Sequence, residues 1–375
     1  MDIGLYFHIP FCNSRCTYCD FYSTTMGEQM RSRYVAAAMA ELEARREEYE
    51  QHGFATIYMG GGTPSCLDDE QIVGMLQSTK EMCTVLADAE ITLEANPDDI
   101  ALERVVRWRS AGVNRVSLGV QSLDDDVLKR LNRRHSAQQA IEAVQVLERG
   151  GIENVSVDLI YGLPGQTLEG FRCDLQQVLS LPVKHLSAYS LMLEGNTPLA
   201  RSVSRGEVRV ADEELSGAMF RLLTHEMRCA GFEHYEISNF ALPGYRSRHN
   251  SSYWKGTPYV GVGPGAHSFD GEHRCFNRPE LQAYLQNMGR PPCETEQLTA
   301  NERANEQVMV SLRTCEGIDL NDFSQRHGEA ALRHVMNEAE PFLQQKLLKL
   351  SEGRLSLTYD GIFVSDMVMS ELMQV

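Results

Sequence analysis

Nowhere in its 375 residues does the chain carry an apolar run long enough to cross a bilayer. Positive charge is scarce as well: 35 Lys and Arg stand against 52 Asp and Glu, a formal charge of -17. That balance excludes a general affinity for nucleic acid phosphates and leaves only local basic patches such as Arg130, Arg133, Arg134 and His135. The opening MDIGLYFHIP lacks the basic and apolar regions of a signal peptide, and ten cysteines, mostly scattered singly, make no secreted disulfide framework. These absences predict a cytoplasmic protein with reduced thiols, and they leave room for peripheral association with a membrane partner. No low-complexity tract is present, and no repeat beyond an alternation of strand and helix patterns.

Three cysteines break the scatter. Cys12, Cys16 and Cys19 sit in HIPFCNSRCTYCDF, a CxxxCxxC loop directly after the first strand pattern. Thiolates are soft anionic ligands, and three on one short loop can converge on iron or zinc. Structural zinc wants four protein ligands, and no fourth cysteine or histidine follows at finger spacing. An iron-sulfur cube on three cysteines keeps one iron free for a non-protein ligand. A structural metal knot, or incidental loop cysteines, are the plainer alternatives.

Short β-branched runs, starting near residues 5, 56, 90, 115, 154 and 185, alternate with helical patterns over 31–52, 68–87, 98–111, 136–150 and 167–180. Six such repeats predict an α/β fold with a parallel sheet, a barrel wide or incomplete rather than eight-fold and closed. Each strand ends in a polar or glycine feature: the cysteine loop, GGGTP from Gly60 to Pro64, Glu94, Gln121, Asp158, and Tyr189 with Ser190. Chemistry in such sheets gathers at the carboxyl ends of strands. The glycine run reads either as a tight turn or as a ligand cradle. Asp124, Asp125 and Asp126 read as a helix N-terminus.

The cysteine spacing, YFHIPFC around it and GGGTP together resemble the radical S-adenosylmethionine (SAM) superfamily, in the branch holding oxygen-independent coproporphyrinogen III dehydrogenase and the heme chaperones. The likeness runs along nearly the whole chain. It implies a partial (β/α)6 barrel and a 4Fe-4S cluster on Cys12, Cys16 and Cys19. The open iron of that cluster would be chelated by SAM. It further implies SAM contacts from Tyr6, Tyr18, Gly61, Gly62, Thr63, Glu94, Gln121, Arg133, Asp158 and Ser190. The dehydrogenase loop resembles CxxxCxxCxC, whereas Phe21 occupies the fourth cysteine's place here, as it does in the chaperones.

In RSRHNSSYWKG, His249, Asn250, Tyr253 and Trp254 match the HNxxYW motif of the chaperones. Neutral imidazole is a good axial ligand for heme iron, and two aromatic rings can wall off a macrocycle. The alternative is a turn packed on the barrel's edge. His8 reads as a residue that shapes the loop or hydrogen-bonds near the cluster, His267 as part of a glycine-rich connection that either closes over a ligand or forms a structural turn, and Cys66 as a small buried residue.

Three segments follow: 1–240 as the barrel with cluster and SAM sites, 241–298 as a glycine- and proline-rich connecting region with the heme motif, and 299–375 as a small winged-helix-like α+β domain expected to pack against or cover the barrel mouth. The resemblance implies a chaperone that binds heme and delivers it to an apo-hemoprotein, with a membrane-bound respiratory enzyme as recipient. An electron donor and a homodimer complete the expected partners. The alternatives are radical decarboxylation of coproporphyrinogen III propionates and a metal-knot domain without cofactor chemistry. No catalytic residue is assigned.

Overall fold

The computed structural model describes residues 2–374. Six parallel strands form its centre: β1 (Asp2–Ile9), β2 (Gly53–Gly61), β3 (Val85–Ala95), β4 (Arg115–Gln121), β5 (Asn154–Tyr161) and β6 (His185–Ser190), hydrogen-bonded in sequence order. The helices between them are α1 (Glu28–Ala44), α2 (Asp69–Met82), α3 (Leu102–Ala111), α4 (Asp125–Arg130), α5 (Ala137–Arg149) and α6 (Leu168–Leu179).

Two-residue alternation divides each strand between two environments. On the outer face Leu5, Phe7, Ile57, Met59, Leu93, Val116, Val157 and Leu186 are buried in one continuous core with α1, α2, α3, α5 and α6. The opposite, inner face carries Tyr6 and His8, Thr56 and Tyr58, Glu90 and Glu94, Arg115 and Ser117, Ser156 and Asp158, His185 and Ser187. Apolar residues thus glue the helices on, and polar ones fill the concave side. Local signals fix the helix ends: Ser136 and Gln139 form a capping box at the start of α5, and Gly112, with φ +106°, ends α3 where a side chain would be strained.

After β6 come α7 (Pro198–Ser204) and α8 (Glu213–Cys229), then β7 (Glu233–Glu236) and β8 (Asn239–Ala241), which add antiparallel to β6. The stretch expected as a connecting region is built into the same sheet. After α9 (Arg248–Trp254), β9 (Tyr259–Val262) pairs parallel with β1, and β10 (His267–Phe269), β11 (His273–Asn277) and β12 (Cys293–Gln297) follow antiparallel. The result is a twelve-stranded sheet, β12-β11-β10-β9-β1-β2-β3-β4-β5-β6-β8-β7, whose two ends do not meet.

The C-terminal domain spans that open side. Its helices (300–312, 320–344, 365–372) and the hairpin 348–357 enclose a separate core of Val308, Leu312, Phe323, Val335, Phe342, Leu355 and Val368. Arg313 pairs with Glu236 at 3.0 Å on one flank of the sheet, and Glu306 with Arg274 at 2.7 Å on the other. The expected cover therefore closes the barrel laterally.

Candidate functional site

The cysteine loop leaves β1 at the carboxyl end of the strands and is tied down from both sides. Cys12 N–H donates to Thr24 O (2.9 Å), Thr17 N–H to Leu131 O (3.2 Å), and Asn132 Nδ2 to Arg15 O (2.8 Å). Thr63 Oγ1 lies 3.5 Å from Cys12 Sγ, and Arg133 Nη1 3.3 Å from Cys16 Sγ. Burial pushes the Cys12 thiol up and the Cys19 thiol to about 11. Such thiols stay protonated unless a cation compensates them, and the donors aimed at Cys12 and Cys16 suit sulfur carrying negative charge. Among the described residues, no three His, Cys, Asp or Glu side chains are gathered closely enough to hold a single metal ion. The loop offers three soft donors from one segment, a set that fits a cluster with one open iron.

Arg133 anchors the mouth. Its Nη2 donates to Asn96 Oδ1 (2.7 Å) and to the Gly119 carbonyl. Gly119 permits the approach, since a Cβ there would lie 3.0 Å from Gln121 Nε2 and 3.5 Å from Arg133 Nη2. Gln121 follows at a register shift in β4 with φ +72°, an uncommon conformation for a side-chain-bearing residue.

The glycine run uses its donors internally. Gly61 N–H reaches Glu94 Oε2 (3.2 Å), Gly62 N–H the Ile9 carbonyl (2.9 Å) and Thr63 N–H the Phe11 carbonyl (2.7 Å). These bonds extend the β1–β2 pairing into the cysteine loop. A Cβ at Gly62 would sit 2.6 Å from Phe11 O, and one at Gly61 2.7 Å from the His8 ring. The run therefore brings two backbones together and presents acceptors, with few donors left for a ligand.

Glu94 receives the Tyr58 hydroxyl at 2.7 Å on its other oxygen. Burial still pushes its carboxyl up to about 7, helped by nearby Asp158. Asp158 is itself raised, first by burial, with Ser117 Oγ 3.2 Å from each of its oxygens. Tyr6 hydrogen-bonds His8 Nδ1 (3.1 Å), whose Nε2 meets Tyr22 O (3.1 Å). Tyr18 packs on the small cluster of Leu131, Ile160 and Leu163, and Ser190 lies exposed at the end of β6. The expected SAM residues are thus arrayed around one end of the barrel.

His249 lies beneath this array, its ring centre 5.0 Å from that of Tyr58 and 6.3 Å from that of Tyr6. Helix α9 enters the inner face at the opposite end of the strands, where the N–H groups of Arg248 and His249 each donate to the Glu90 carboxylate at 3.0 Å. The imidazole is 1% exposed. Its Nδ1 lies 2.7 Å from Thr56 Oγ1 and its Nε2 2.8 Å from the Tyr253 hydroxyl. Burial, with the nearby Arg115 charge, lowers its pKa to about 3, so it is neutral. Trp254 packs under the Arg313 guanidinium, 5.0 Å from ring centre, at the seam with the C-terminal domain. Asn250 caps nothing with its side chain; its N–H donates to Ser247 Oγ.

Sequence reasoning missed Tyr58, Glu90, Asn96 and Thr56. Alternation along β2 and β3 carries the signal for three of them, because residues two apart share a face and Glu94 marks which face is functional.

Comparison with known proteins bears on this arrangement. Residues 6–177 match the radical SAM superfamily and residues 298–364 the HemN C-terminal domain. Heme chaperone HemW of Bacillus subtilis is 32% identical over 95% of this chain and 95% of its own length. That of Mycobacterium tuberculosis H37Rv is 35% identical over 99% and 94%, and that of Escherichia coli K12 39% identical over 71% and 69%. Among solved structures, coproporphyrinogen III oxidase (HemN) from Escherichia coli superposes with a TM-score of 0.86 at 22% identity, covering 99% of this chain and 90% of that one. The last likeness establishes the shared fold.

Proposed function

The chain belongs to the HemW family within the radical SAM superfamily, and from that membership we propose that it is a heme chaperone: it binds heme and hands it to apo-hemoproteins. Near-full-length likeness to HemW proteins carries the reading, and Phe21 in place of a fourth loop cysteine supports it.

Cys12, Cys16 and Cys19 would hold the 4Fe-4S cluster, with Thr63 and Arg133 donating to sulfur. When bound, that cluster supplies one-electron chemistry and an open iron for SAM. Because Gly61, Gly62 and Thr63 spend their N–H groups internally, the run matches the SAM ammonium through carbonyl oxygens, and the Glu94 carboxylate adds the counter-charge. Arg133 and Gln121 would serve the SAM carboxylate, and Asp158, Tyr6, Tyr18 and Ser190 would supply the remaining contacts.

The HNSSYW segment is the heme-responsive element in this reading. His249 is held neutral, the state that coordinates iron, and Tyr253 occupies its Nε2. Coordination therefore requires the Tyr253 hydroxyl to leave, with Trp254 and Asn250 as the other residues of the motif beside it. The recipient is placed among membrane-bound respiratory enzymes, with an electron donor for the cluster and a homodimer as further partners. No helix among the described residues is long and apolar enough to cross a membrane, so a meeting there through these helices is peripheral.

The test is a hemin titration of anaerobically reconstituted protein followed at the Soret band. Saturable binding, weakened in His249→Ala, supports the reading. Absence of specific binding by the intact protein returns oxidative decarboxylation to the front.

A further inference from the structure

A large cavity lies outside the barrel, between the end of α1 and the face of β9–β12. It measures about 940 Å³, at the upper end of small-molecule pockets, which run to about 1,000 Å³. Ile3, Ala44, Tyr259, Val260, Phe269 and Pro291 give it an apolar wall.

Most of its polar groups are already engaged. Arg45 donates to Glu41, Glu48, Gly261 O and Ser268 Oγ. Glu41 accepts from Gly263 N–H, Asn277 and Tyr284. Two groups stand out as unspent among the described residues: the Arg290 guanidinium and Nε2 of His273.

His273 is oriented as a metal ligand is oriented. Its Nδ1 lies 3.1 Å from Asp270 Oδ2, and Asp270 Oδ1 accepts the His273 N–H at 2.6 Å. A carboxylate on Nδ1 selects the tautomer that leaves a lone pair on Nε2. An apolar wall, one carboxylate-binding cation and one free imidazole nitrogen together describe a flat, apolar, carboxylate-bearing metal chelate. Tyr259 joins this cavity to the heme-responsive element, its ring centre 4.7 Å from that of Tyr253.

We propose that this cavity is an open seat for an iron tetrapyrrole, with His273 Nε2 as axial ligand, Asp270 as the residue that positions it and Arg290 as the partner of a propionate. The proposal rests on the heme-chaperone reading. Binding is a coordination step: the Nε2 lone pair replaces water on the ferric iron, with no change in oxidation state.

The experiment titrates the full chain, wild type and two variants, with hemin and with metal-free protoporphyrin IX. His273→Ala is expected to weaken hemin about tenfold or more and to change the Soret position and the electron paramagnetic resonance of the ferric iron, leaving protoporphyrin affinity unchanged. Ala44→Trp, which fills the cavity, is expected to weaken both. Wild-type hemin affinity and spectrum in His273→Ala overturn the seat and leave the heme reading standing. Failure of the wild type to bind hemin overturns that reading, and the seat with it.

Discussion

The Tyr253 hydroxyl lies 2.8 Å from Nε2 of His249, four residues before it on the same short helix, so the imidazole of the HNSSYW segment is engaged on both nitrogens. Lock and ligand are thereby one device. The residue that would coordinate iron is hydrogen-bonded by Thr56 on one side and Tyr253 on the other, burial with the nearby Arg115 charge keeps it neutral, and Trp254 carries the same helix to the seam with the C-terminal domain.

Tyr253→Phe tests the lock. Losing one hydrogen bond to a buried imidazole costs about 1 kcal/mol of stability, and removing the competitor at Nε2 raises heme affinity. Paired denaturant melts and hemin titrations check this: lower stability with tighter heme binding is the expected combination.

Glu94 predicts a pH dependence. Its carboxyl, near 4.5 in an exposed chain, is raised to about 7, first by burial. The folded state thus binds the proton more tightly than the unfolded one. The corresponding stability is fully present below the unfolded value and is lost as pH rises through 7. Glu94→Gln removes the dependence, so thermal melts of the variant relative to wild type should improve between pH 5 and pH 8. SAM affinity of the wild type, which uses the ionised form, should rise over the same interval.

Gly62 is a packing requirement. A methyl group there meets the Phe11 carbonyl at 2.6 Å and the Ile9 carbonyl at 2.9 Å, both backbone atoms. Gly62→Ala should cost about 1–3 kcal/mol by parting β2 from the cysteine loop, and should reduce iron and sulfide uptake. Thermal melts and iron and sulfide analysis measure the two effects separately.

Cys16→Ala removes one of three loop thiols and the acceptor of Arg133 Nη1. Iron and sulfide incorporation after anaerobic reconstitution should fall to background. A full cluster in this variant would remove Cys16 from the ligand set.

Much of this was legible because it is periodic. The six strands follow from β-branched runs, with β1, β2 and β3 beginning earlier than expected, at Asp2, Gly53 and Val85, and the pattern over 136–150 becomes α5, Ala137–Arg149, with Val144 and Leu147 buried as their spacing requires. The acidic run at 124–126 caps and opens α4 as its charge suggests. The flanking strands were not legible. β9, β10 and β8 are only three or four residues long, and their place depends on pairing with β1 and β6 from far along the chain. At the site, Glu94 and Gln121 stood out as polar groups at strand ends, whereas Arg133, beyond α4, was marked by the family resemblance. Internal use of the glycine N–H groups, and the burial of His249 against Thr56, are long-range contacts that no local pattern encodes.

The most direct test of the heme-chaperone account mixes the hemin-loaded protein with an apo-hemoprotein and follows the Soret band, alongside an assay for carbon dioxide from coproporphyrinogen III with SAM and reductant. The account predicts that heme passes stoichiometrically to the acceptor and that no carbon dioxide is released. Catalytic carbon dioxide release without heme transfer would contradict it.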